Sequence, residues 1–118
     1  MDRRRELKQQ YKEMKPPMGV FIIRSKFNNK CYLQAASDFR AAMNGARVRL
    51  ASGMHPCREL QNEWTAHGAE NFSIEILEKL EYDKDESKID YAEELSLLQM
   101  ICEEKVLQEN LEIYKKRV

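Results

Sequence analysis

The chain has 118 residues, 42% of them hydrophobic and 34% charged, which gives material for one compact core and not two. Lys plus Arg and Asp plus Glu number 20 each, so the net charge is zero and overall basicity offers no argument for a nucleic-acid partner. Distribution says more: residues 1–68 carry thirteen basic and six acidic side chains, residues 69–118 seven basic and fourteen acidic, so a cationic front is followed by an anionic back.

Cys31, Cys57 and Cys102 stand far apart, with no metal-ligand spacing and no even pairing, which points away from a disulfide framework or a zinc knuckle and toward a reducing, cytoplasmic setting. No stretch approaches the roughly 18 apolar residues of a membrane span, and the polar N-terminus lacks the apolar segment of a signal peptide. No membrane partner is expected.

In chain order, Leu7, Tyr11 and Met14 form one apolar stripe, predicting an N-terminal helix over 1–16 that Pro16-Pro17 ends. Met18 to Arg24 is an apolar, β-branched and aromatic run that reads as a strand buried on both faces. Turn chemistry at 27–30 leads into Cys31–Ala35, the returning strand of a hairpin. Ser37 or Asp38 suits the cap of a helix carrying Phe39 and Met43, which Asn44-Gly45 is expected to interrupt. Pro56 opens a further helix, anchored by Leu60 and Trp64 and closed by Gly68. Residues 71–77 alternate as a half-buried third strand, with Phe72, Ile74 and Ile76 inward.

The acidic run 81–86 reads as a solvated connection. Ser87 and Asp90 then resemble a capping box, opening a C-terminal helix over 87–115 whose packed stripe is Tyr91, Leu95, Leu98, Cys102 and Val106. The expectation is a single α+β domain over 1–118: a small three-stranded antiparallel sheet flanked by helices, with its core at 18–80.

Within that core the text resembles the GIY-YIG nuclease superfamily. Gly19-Val20-Phe21 stands for the first triplet and Tyr32-Leu33-Gln34 for the second, supported by Lys30, Leu50, Gly53, His55, Leu60-Gln61, Trp64, Gly68, Asn71-Phe72 and the Ile74–Leu77 strand. The resemblance implies metal-dependent cleavage of a DNA phosphodiester, with tyrosines of both triplets, an Arg and often a His on the following helix, and a magnesium-binding Glu on a later helix. Tyr32 keeps its phenol. Phe21 lacks the hydroxyl, and the family's spacing puts Ala42 at the Arg position, Ala46 at the His position and Leu97 at the Glu position.

The substitutes within the sequence are Arg47 and Arg49 for the electrophile and Glu94 for the metal ligand. Arg40, two residues before Ala42, is turned about 200° away on a helix. Lys26, Lys30, Arg40, Arg47 and Arg49 form the cationic cluster that would follow a DNA backbone. His55 reads as an exposed or capping residue before Pro56. Three functions follow as expectations: a divergent, DNA-binding nuclease-like domain with cleavage lost or strongly weakened and no cofactor; an active magnesium-dependent endonuclease built on Tyr32, Arg47 or Arg49, and Glu94; or an interaction module meeting a protein partner or a second copy through its C-terminal helix, where Leu97 and Ile101 widen the apolar stripe.

Overall fold

A computed structural model describes residues 15–114; the predicted N-terminal helix, apart from Lys15 and Pro16, lies outside them. The order is β1 (Met18–Ser25), β2 (Lys30–Ala36), α1 (Phe39–Ser52), α2 (Arg58–His67), a 3₁₀ turn (Ala69–Asn71), β3 (Phe72–Leu80), α3 (Ala92–Gln108) and β4 (Glu112–Ile113). The sheet has the order β3-β1-β2-β4. β1 pairs antiparallel with both β2 and β3, as expected of the three-stranded sheet, but the short β4 adds a parallel edge to β2, so the sheet is four-stranded and mixed rather than three-stranded and antiparallel.

The predicted C-terminal helix is shorter than its expected span. It runs from Ala92 to Gln108, Asn110 turns the chain with φ 66°, and the chain comes back along the β2 edge. Tyr114 explains the reversal: its ring is fully buried and its hydroxyl donates to the Glu63 carboxylate on α2. The capping box is also redrawn, since Asp90 rather than Ser87 serves the helix start, its Oδ1 accepting from the Ala92 amide at 3.0 Å.

Because side chains alternate along β1, the central strand feeds two cores. Phe21 and Ile23 pack under α1 and α2 with Phe39, Ala46, Leu50, Leu60 and Phe72. Val20 and Ile22 point the other way, joining Cys31 and Leu33 beneath Cys102 and Val106 of α3. Gly19 sits against the β3 backbone. With φ +151°, a Cβ there would lie 2.1 Å from the Glu78 carbonyl oxygen and 2.9 Å from the Phe39 ring, so the first triplet's glycine is a steric requirement of the sheet.

α1 is continuous through Asn44-Gly45, contrary to the predicted interruption. Glycine costs a helix about 1 kcal/mol, and the buried Phe39 on one side with Ala46 and Leu50 on the other hold the turn that local preference would open. Asp38 caps the start by accepting from the Ala41 amide, and Gly53 ends the helix in the left-handed conformation at φ 78°.

Candidate active-site groove

An unbroken α1 decides where its arginines go. At about 100° per residue, Arg49 lies within about 20° of Ala42, while Arg40 and Arg47 share a flank turned roughly 160° to 180° from Arg49. Arg49 and Ala42 line one groove of about 350 Å³ with Gln34, Ser37, Ala41 and Gly45. The structure therefore brings Arg49 to the groove and leaves Arg47, the other electrophile candidate, exposed on the far flank with Arg40. The predicted cationic cluster is split by the helix that carries it.

Tyr32 is half-buried on the α1 side of β2, with its ring edge-on to His55 at 5.1 Å between centroids. Burial pushes its phenol above the ordinary range, and the Arg49 guanidinium only partly opposes this. The phenol is thus protonated near neutral pH.

His55 departs from the sequence reading: it is 5% exposed. Its Nδ1 accepts from the Cys57 amide at 3.0 Å, its own amide donates to Gln61 Oε1 at 3.0 Å, and Gln61 Nε2 donates to the Leu50 carbonyl at 2.9 Å and to Thr65 Oγ1 at 3.0 Å. One buried glutamine thereby ties the end of α1, the connecting loop and α2 together. With Nδ1 accepting, the proton of the neutral ring sits on Nε2, a buried atom with no hydrogen-bond partner among the described residues. Burial, reinforced by Arg49, lowers the imidazole pKa, so the ring is neutral. The only hint in the sequence was that His55 and Gln61 both fall in the text carrying the family resemblance.

Lys30, placed in the cationic cluster, pairs with Glu59 at 3.3 Å and lies over the Tyr114 ring, which reduces what it offers a phosphate. Lys26 stays exposed at the hairpin end. Phe21 is fully buried, and so is Ala46, which packs within the core rather than facing the groove.

A larger hollow of about 590 Å³ adjoins the groove across Ala35, Ser37 and Asp38 and is walled by Tyr82, Tyr91 and Leu95. Its two carboxylates, Asp38 and Asp90, already accept from the Ala41 and Ala92 amides at the starts of α1 and α3. Glu94 is held by Lys88 at 2.8 Å, and Leu97 is exposed. No three His, Cys, Asp or Glu side chains gather as a metal site among the described residues. Asp38, Asp90 and Glu94 are thus each engaged by a backbone amide or by Lys88.

No protein-family model matches the chain. It is 34% identical over 67 residues to intron-associated endonuclease 1 of Enterobacteria phage T4, a stretch that covers 57% of this chain but only 27% of that relative. The solved catalytic domain of homing endonuclease I-TevI superposes with a TM-score of 0.64 and 26% identity, over 82% of this chain and 95% of that domain. A mutant of that catalytic domain matches at 31% identity and a TM-score of 0.51, over 68% of this chain and 84% of that domain. The chain belongs to the GIY-YIG nuclease superfamily. Within this GIY-YIG domain the β-hairpin, Gly19 and the Tyr32 phenol match the family's pattern, while Phe21, Ala42 and Ala46 stand where the resemblance leads one to expect Tyr, Arg and His.

Proposed function

We propose that this GIY-YIG domain binds DNA through the groove beside Tyr32 and the exposed arginines of α1, with its cleavage capacity lost or strongly weakened. The observation that carries the reading is the groove's composition. Its wall is the small side chains of Ala41, Ala42 and Gly45, and Arg49 is its one charged group of positive sign. A phosphodiester transition state needs positive charge placed against the growing charge on phosphate, and losing such a donor typically costs orders of magnitude in rate. A phenol held above its ordinary pKa is a poor proton acceptor, which argues the same way.

Phosphate contact needs less. Arg49 in the groove, Arg40 and Arg47 on the other flank and Lys26 at the hairpin supply exposed cations without a catalytic constellation. Buried Cys31, Cys57 and Cys102 suit the reducing, cytoplasmic compartment we assign. A protein partner would meet α3, whose outer face carries exposed Leu97 and Ile101.

A salt titration of binding to duplex and branched DNA tests the proposal, run with and without magnesium or manganese. Affinity should be weak and fall steeply with salt, Arg49→Ala should reduce the log–log salt slope by about one unit, and the DNA should stay intact. Magnesium-dependent cutting abolished by Tyr32→Phe and Arg49→Ala would overturn it in favour of a rearranged catalytic centre. Undetectable affinity at low salt would overturn the DNA reading itself.

A further inference from the structure

α3 carries large apolar side chains on two opposite faces. Leu95, Cys102 and Val106 are buried against the sheet, yet Leu97, Met100, Ile101 and Leu107 are 58%, 63%, 44% and 55% exposed on the outside. An amphipathic surface helix keeps its outer face polar, so four large apolar side chains on that face call for an occupant.

The order of residues along that face identifies one. Glu93, Leu97, Ile101 and Lys105 follow each other at four-residue spacing, all exposed, and so form one row along the helix: acid, apolar, apolar, base. Turned end for end about the level of Gln99, the row becomes its own complement. Glu93 of one copy then meets Lys105 of the other, Leu97 meets Ile101, and symmetry repeats each pairing. Self-complementarity is what a two-fold interface demands of a single surface, and a partner of different sequence would impose no such palindrome. Gln99, at the centre, is turned away from the row: its side chain accepts from the Ala35 amide at 2.9 Å and donates to the Leu33 carbonyl, covering the edge of β2 where β4 does not reach. The centre of the pairing is therefore free of a competing polar group from that residue.

We propose that the chain forms an antiparallel two-fold homodimer through the outer row of α3. The interface lies on the sheet face opposite Tyr32 and α1, so it leaves the Arg49 groove open and does not rest on the DNA reading. A helix of 17 residues is about 25 Å long, and a pair of them buries less than the roughly 1,600 Å² of a standard interface. The dimer is therefore weak and concentration-dependent.

Sedimentation equilibrium of the full chain from about ten to several hundred micromolar tests this, with circular dichroism confirming that each variant is folded. The mass should rise from one copy toward two. Glu93→Lys and Lys105→Glu, each placing like charges opposite at two symmetric positions, should each weaken association about tenfold, consistent with surface pairs of modest strength. An equimolar mixture of the two variants should restore it, because each then supplies the charge the other has lost. A single-copy mass throughout, unaltered association of the single variants, or no rescue on mixing would overturn the proposal.

Discussion

The two faces of the sheet are built on different terms. Beneath α3 the packing is dry, with Val20, Ile22, Cys31 and Leu33 against Cys102 and Val106, and the polar Gln99 serving only the strand edge. Beneath α1 and α2 the core holds polar groups within it: a neutral buried His55, a buried Gln61 making three bonds, and a half-buried Tyr32. The first face needs only volume and apolarity, whereas the second needs particular atoms in particular places. The placement of α1 therefore rests on the core and on this polar network rather than on Arg49 of the groove. Ala46 satisfies the core by volume alone, and the polar lock at His55 and Gln61 holds α1 to α2 without help from positions 42 or 46.

Both faces depend on one residue of the central strand. Gly19 lies in β1 between the two cores, with β3 backbone and the Phe39 ring against it. Gly19→Ala forces a Cβ into the Glu78 carbonyl at a positive φ, so both faces should fail together. A loss of about 4 kcal/mol or more is expected, measured as collapse of soluble yield or of the denaturant midpoint. A variant that unfolds within 1 kcal/mol of the parent would show that β1 and β3 can separate there at little cost.

A gentler test asks whether the groove is one step from its relatives. Ala42 lines open space beside Arg49, but Ala46 is fully buried. Ala42→Arg should leave stability within about 0.5 kcal/mol, whereas Ala46→His should cost about 1–3 kcal/mol by overpacking. Chemical denaturation of the two variants side by side decides it. Equal tolerance at both positions would mean that position 46 opens to the groove.

The same division explains what the sequence reveals. The hairpin, the start of β3 and the α3 stripe are legible because burial on a sheet or a helix imposes a period of 2 or 3.6, which is written in order along the chain. The predicted inward position of Ile76 is wrong, since a bulge opposite Val20-Phe21 breaks the alternation, leaving Ile76 44% exposed and Leu77 against the α3-side core. α1's passage through Asn44-Gly45 is not, because the local signal is for a turn and the overriding one comes from Phe39, Ala46 and Leu50 packing on strands far away in sequence. β4 is two residues long, too short for any period, and its position follows from Tyr114 reaching Glu63 across the fold. In the groove, Tyr32 was legible through the triplets. Arg49 and Arg47 could be told apart only once the helix was known to be continuous, and the burial of His55 depends on Gln61, six residues on, whose partners lie on two elements.

The smallest effect sharpens the claim that the polar face contains a buried neutral imidazole. Above the ordinary histidine pKa of about 6.5, folded and unfolded chains both hold His55 neutral, and the residue contributes nothing to pH dependence. Below it the unfolded chain takes up a proton that the folded one resists, because burial and the nearby Arg49 disfavour imidazolium, so stability falls as pH falls toward the lowered folded value. The slope from this one group is at most about 1.4 kcal/mol per pH unit. Denaturant midpoints from pH 7.5 to 5.5 should therefore decline more for the parent than for His55→Gln, and the difference between the two curves isolates this group from the carboxylates common to both. Direct titration of the ring by NMR gives the second check. An imidazole that protonates at or above its ordinary pH would mean that water reaches the ring and that the T-shaped contact with Tyr32 does not seal it.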